Sequence, residues 1–169
     1  MNISTNFLTK LIALTFAVIL LFAGCSNPAS NDNDHEEHTE PDAVEFLING
    51  DVIVSYNHSS ETTEGQFNVA VGEQTTLITT EFKDENGNEV HGEDLGDEYS
   101  LDWEIANSEI AEVVQTDSDG RWQFHITGKA AGETTVQFML MHNEIHSDFE
   151  TPNVEENNAI TIQVVETNQ

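Results

Sequence analysis

Basic residues are nearly missing from this chain: four Lys and Arg stand against 32 Asp and Glu in 169 residues, a formal net charge of −28. Nucleic acid is gripped through basic patches, so that class of partner is excluded. Self-repulsion on this scale works against the compact state and favours uptake of counter-cations. Adaptation to salty surroundings and capture of metal ions both fit it. Cysteine occurs once, as Cys25, so no disulfide can form within the chain, and stability must come from a core or from ligands. Also missing is a sustained helical stripe, since no window repeats apolar residues at i, i+3 and i+4. No serine sits in a nucleophile elbow and no glycine-rich loop reads as a phosphate cradle. Carboxylate pairs can be drawn anywhere among so many acids, so they single out no catalytic pair, and no enzymatic activity is expected.

What is present begins with an almost unbroken apolar run, Leu11 to Ala23, behind Lys10. A bilayer-spanning helix needs roughly 20 such residues, whereas a secretory segment needs about 7 to 15 followed by small residues. This run is of the second kind. Phe22-Ala23-Gly24-Cys25 then resembles the lipobox of bacterial lipoproteins, in which the cysteine is acylated and becomes the mature N-terminus, although Phe22 stands where leucine is commoner. The resemblance implies a signal peptide over 1–24, lipidation of Cys25 and a membrane partner reached through that lipid. Each buried methylene of an acyl chain contributes about 0.8 kcal/mol, so several chains anchor a protein without a spanning helix. The polypeptide would then lie outside the cytoplasm, on the periplasmic side or at the cell surface. Ser26, in place of the aspartate that retains some lipoproteins at the inner membrane, favours the outer membrane. With Lys10 removed, three basic residues face all 32 acidic ones and the net charge becomes −29.

Residues 25–42 form an acidic stretch in which "SNPASNDNDHEEHTEPD" carries no large apolar side chain. It cannot bury enough surface to offset the entropy of ordering and reads as a flexible tether. His35 and His38, separated by Glu36 and Glu37, are weaker candidate metal ligands there, because binding would have to order the tether as well.

From Ala43 to Gln169 the pattern changes to nine short runs of period two: "AVEFLI", "VIVSY", "QFNVAV", "TTLITTEF", "YSLDWEI", "EIAEVV", "RWQFHI", "TTVQFMLM" and "AITIQVV". Each has strand length and β-branched or aromatic content. Asn49-Gly50, Asn86-Gly87 and Asp119-Gly120 supply residues that tolerate the positive φ of tight turns. The reading is an all-β sandwich of about 7–9 antiparallel strands. "DENGNEVHGEDL" places acids like a calcium loop, but its glycine falls at the wrong position and a hairpin turn explains it better.

"LDWEIANSEIAEVV" followed by "ITGKAAGETTVQFML" resembles bacterial immunoglobulin-like domains of group 2, in the positions Trp103, Asn107, Ser108, Ile110, Ala111, Val113, Gly128, Gly132, Thr134 and Val136. "VAVGEQTTLITTEF" resembles the early strand pair of that family. The resemblance covers about Phe67 to Val165. It implies an immunoglobulin-like sandwich and, as a use common in the family, adhesion or envelope scaffolding with an envelope protein as partner. Val136, Phe138 and Leu140 share one face and should point into the core, with Trp103 and Trp122 packed as structural residues. Gly132 fits a close turn entering its strand.

One segment departs from that pattern. "HNEIHSDFETPNVEENN", from His142, reads as a long loop inserted before the last strand, and such loops are often functional. If the strand continues into it, His142, Glu144, His146 and Asp148 share one register; a helical turn would also bring the two histidines together. Neutral imidazole with a carboxylate suits Zn, Cu or Ni. His58, by parity with Val54 and Tyr56, is a weaker further ligand. The alternative is that His142 caps the core through a hydrogen bond while the rest of the loop is solvated. His125 alternates with Phe124 and Ile126 and should be exposed, and His91 lies in a turn.

Overall fold

All nine runs become strands, and three short strands join them at sheet edges. The computed structural model describes residues 41–91 and 95–167, and every regular element within them is a strand. The seven-stranded sheet contains β1 (Ala43–Ile48), β2 (Asp51–Asn57), β3 (Thr62–Gly65), β5 (Ile78–Lys83), β6 (Glu89–Val90), β8 (Ala111–Val114) and β9 (Gln123–Gly128), in the order β3-β2-β1-β5-β9-β8 with β6 on β5. The five-stranded sheet contains β4 (Phe67–Ala70), β7 (Tyr99–Ile105), β10 (Gly132–His142), β11 (His146–Glu150) and β12 (Ile160–Val165), in the order β11-β10-β12-β4 with β7 on β10. Twelve strands thus replace the expected seven to nine. The pairing is antiparallel except that β4 runs parallel to β12.

Turn chemistry accounts for several connections. Ile48 pairs with Asp51 across a two-residue hairpin in which Asn49 and Gly50 take φ of 54° and 87°, the conformation that Asn-Gly favours. In "DENGNE", Asp84 accepts hydrogen bonds from the Asn86 and Asn88 amides at 2.8 Å each, and Gly87 has a φ of 78°. A hairpin, not a calcium loop, is what this stretch forms. The third turn differs from expectation. Gly120 keeps a negative φ, and Asp119 does the organising by accepting from the Thr116 amide at 2.8 Å and hydroxyl at 2.9 Å.

Between the sheets four phenylalanines meet. Phe46 on β1 and Phe124 on β9 come from one sheet, Phe67 on β4 and Phe138 on β10 from the other, and their ring centroids lie 4.6–6.3 Å apart. Burying each ring stabilises by about 1.5–3 kcal/mol, and aromatic pairing adds about 0.5–1.5 kcal/mol per contact. Val136, Phe138 and Leu140 face this core as their parity requires. Trp103 and Trp122 pack against it while remaining partly exposed. Gly132 enters β10 at a φ of 150° beside Ile110, and a Cβ on Gly128 would stand 2.5 Å from the Ala70 carbonyl oxygen. Both resemblance glycines therefore have a steric reason.

The expected long loop is only half a loop. Residues 142–150 fold into the β10–β11 hairpin, and the irregular stretch begins at Thr151. Phe149 is the reason: it is buried against Phe82 and Tyr56 of the other sheet, with centroids 6.0 and 6.2 Å away. Thr151 then closes the strand, its hydroxyl accepting from the Phe138 amide at 2.8 Å and its amide donating to the Phe138 carbonyl at 2.9 Å.

Candidate metal centre

His142 ends β10 and pairs directly with His146, the first residue of β11. The chain reverses through Asn143 and Glu144, both at positive φ (52° and 56°), and the Ile145 amide donates to the His142 carbonyl at 3.1 Å. The Asn143 amide is held by the Glu98 carbonyl at 2.7 Å. Past this turn the register slips. Met141 pairs with Ser147 but Leu140 with Phe149, which leaves Asp148 as the extra residue of a β-bulge, and bulges re-aim side chains. Here the carboxylate turns towards both imidazoles.

The resulting distances are short. Asp148 Oδ1 lies 3.0 Å from His146 Nε2, and Asp148 Oδ2 lies 3.5 Å from His142 Nδ1. The three donor atoms all fall within 4.8 Å of one another. Two ligands held tetrahedrally by zinc at about 2.0–2.1 Å stand about 3.3 Å apart, and the two His–Asp separations bracket that value. The side chains of His142 and Asp148 are 25% and 24% exposed, that of His146 60%, so the site is supported below and open above. As they stand, the contacts are imidazole–carboxylate pairs at these distances.

Tyr99, at the start of β7, braces the group. It pairs with His142 across β7–β10, its ring stacks on the imidazole at 4.6 Å and 12°, and its hydroxyl donates to Asp148 Oδ2 at 3.1 Å. It thus orients one candidate nitrogen donor and one candidate oxygen donor together, as groups just outside a metal's coordination shell do.

The fold brings some of the expected site residues together and leaves others apart. Glu144 sits at the turn, exposed and outside the donor group, because the strand reverses after His142 and the shared register of His142, Glu144, His146 and Asp148 stops there. His58 does face the hairpin, with its ring 6.4 Å from that of Phe149 and lining a 330 Å³ cavity with Asp148 and Glu150. It stands outside the donor group among the described residues. His125 is partly buried, not exposed, since its Nδ1 meets the Thr75 carbonyl at 2.9 Å, and His91 lies 3.2 Å from Glu89 at the surface. Cys25, His35 and His38 lie outside the described residues.

No family model and no curated protein matches this chain. Among solved structures it is similar to parts of the surface layer protein SbsC. Against domains 1–6 it is 19% identical over 62% of this chain and 12% of that one, with a TM-score of 0.41. Against domains 4 and 5 it is 17% identical over 73% and 77%, with a TM-score of 0.40. Against domains 4–9 it is 16% identical over 77% and 23%, with a TM-score of 0.42. The fold is an immunoglobulin-like β-sandwich. At these similarities neither a family nor an activity passes to the chain. The group 2 resemblance therefore rests on the residues quoted for it, and the fold on the strand pairing itself.

Proposed function

We propose that this chain is a non-enzymatic module of the cell envelope, a sandwich that serves as a scaffold or adhesion element and carries a divalent transition-metal centre on its β10–β11 hairpin. The module reading is supported by the lipobox-like Cys25 and by a core filled with aromatic side chains, which leaves recognition to strand edges and end loops. The metal reading is carried by one observation, the convergence of one donor atom each from His142, His146 and Asp148 within 4.8 Å. Two imidazoles and one carboxylate suit Zn, Cu or Ni, with a fourth position left for water or for a donor from a partner.

The two parts are separable by experiment. For the module, in-cell cross-linking of the full chain should capture envelope components in the presence of chelator, and Cys25→Ser should move the protein from the membrane to the soluble fraction. Retention of Cys25→Ser in the membrane fraction contradicts lipid anchoring, and cross-links that vanish with chelator assign the interaction to the metal instead. For the metal, zinc, copper or nickel at a hundredfold excess over the dissociation constant should add about 2.7 kcal/mol of stability, reversed by chelator. An unchanged melting temperature with all three ions contradicts the site.

A further inference from the structure

Arg121 stands in "DSDGRW", in the link between β8 and β9, and its guanidinium grips the backbone of a different loop. Nη1 donates to the Gly96 carbonyl at 2.6 Å and to the Tyr99 carbonyl at 3.3 Å, and Nη2 donates to the Leu95 carbonyl at 3.0 Å. Hydrogen bonds from a charged donor are stronger than neutral ones, and the planar fork fixes the spacing of the oxygens it meets. Asp97, fully exposed and 3.8 Å away, adds little, as exposed ion pairs do. The arginine is itself held. Its carbonyl accepts from the Gln115 side-chain amide at 3.0 Å, and its guanidinium lies 4.9 Å from the centroid of the Trp122 ring. That ring in turn meets buried Phe82 edge-on at 5.6 Å.

The gripped residues, 95–99, reach the β10–β11 hairpin at three points. The Glu98 carbonyl accepts from the Asn143 amide in the hairpin turn at 2.7 Å. The Tyr99 ring stacks on the His142 imidazole, and its hydroxyl donates to Asp148 Oδ2 at 3.1 Å. The Tyr99 amide donates to the Gly96 carbonyl at 3.2 Å, so the oxygen that Arg121 meets at the shortest distance also belongs to the turn that aims Tyr99. A displacement at Arg121 therefore passes through two short links to the hairpin turn, to one imidazole and to the carboxylate. Because the phenol engages Oδ2, Oδ1, which lies 3.0 Å from His146 Nε2, is the Asp148 oxygen left to coordinate an ion.

We propose that Arg121 is a positioning residue of the hairpin metal centre, holding Glu98 and Tyr99 where they set the His142 and Asp148 donors for a transition-metal ion. The inference rests on the metal reading of the hairpin and adds to it a residue that touches none of the three donors. Charge alone predicts the opposite of positioning. A guanidinium repels a divalent cation, so removing it for electrostatic reasons would tighten binding, whereas loss of positioning weakens it. Groups that orient metal ligands typically matter by about 10- to 100-fold in affinity. Lysine keeps the charge but not the planar fork, so it cannot hold three carbonyls in the same arrangement. Without Arg121 the phenol loosens its hold on Oδ2, and Asp148 becomes able to offer both oxygens to one ion, which moves the site away from four-coordination.

The test titrates the full chain with zinc by calorimetry, as parent, Arg121→Ala, Arg121→Lys and Lys129→Ala. The last removes a cation paired with Glu112 and reports the effect of charge. Two further readouts accompany it: the visible spectrum of the cobalt-loaded proteins, intense for four-coordinate cobalt and weak for higher coordination, and hydrogen exchange of the Asn143 amide without metal. Arg121→Ala should bind zinc about tenfold more weakly, lose intensity in the cobalt bands and exchange faster at Asn143. Arg121→Lys should follow it in direction, and Lys129→Ala should match the parent. Parent-like or tighter binding by Arg121→Ala overturns the proposal, as does full rescue by lysine. Weaker binding with unchanged cobalt bands and unchanged Asn143 exchange also overturns it, since the arginine would then act only on overall stability. No saturable binding by the parent overturns the metal centre itself and the role of Arg121 with it.

Discussion

Asp148 meets two imidazoles and a phenol because a bulge releases it from the pairing of β11. Its neighbours divide into those that would bind a metal and those that hold the donors in place. Tyr99 holds, so Tyr99→Phe should weaken zinc binding about tenfold and change stability by about 1 kcal/mol or less, since the stacked ring remains. Calorimetry beside chemical denaturation separates the two effects. Glu144 stands outside the donor group. A non-glycine residue in the left-handed region costs about 1–2 kcal/mol, part of which glycine's extra chain entropy offsets, so Glu144→Gly should stabilise by about 0.5–1 kcal/mol with zinc affinity unchanged. A loss of affinity would return Glu144 to the ligand set. The histidine pair was legible as a close spacing, but what brings the rings together is the reversal at Asn143 and Glu144, which makes them partners across the β10–β11 hairpin. The positions of Glu144 and Tyr99 were not, because one depends on where the strand reverses and the other on which strand lies beside β10.

Among elements, β11 depends on a single anchor. Phe149 is the one buried aromatic on that strand, and its ring reaches Tyr56 and Phe82 of the opposite sheet. Phe149→Ala should cost about 3 kcal/mol. Hydrogen exchange should quicken first in His146–Glu150 while Gly132–Phe138 stays protected, and zinc affinity should fall although no ligand has been removed. Uniform exchange across both strands would contradict a locally anchored hairpin. The same feature explains which strands could be foreseen. The nine legible runs alternate apolar residues because at least one face of each is buried. β3 ("TTEG") and β6 ("EV") are short, mostly polar pieces completed by one neighbour each, and β11 lies at an edge with one buried residue. Their pairing partners determine them more than their own composition does.

For the whole molecule the dominant quantity is charge. The three basic residues that fall within the described residues are all engaged: Lys83 with Glu81 and Glu45 at 3.2 and 3.4 Å, Lys129 with Glu112 at 2.7 Å, and Arg121 with the Gly96 and Leu95 carbonyls at 2.6 and 3.0 Å. The remaining acids repel one another with little internal compensation. Raising salt from 0.1 to 1 M shortens the screening length from about 10 to about 3 Å, so the melting temperature should climb by several degrees across that range. A flat or falling curve in a salt titration followed by circular dichroism would show that self-repulsion is not what limits stability. Acidity also sets the standard for any claim of metal binding, because carboxylates near a histidine are common in such a chain. The decisive measurement is therefore zinc titration of the full chain by calorimetry, beside His142→Ala/His146→Ala and His35→Ala/His38→Ala. One saturable site that persists in the tether variant and disappears in the hairpin variant is the predicted result; equal binding by parent and hairpin variant, or none by either, would contradict it.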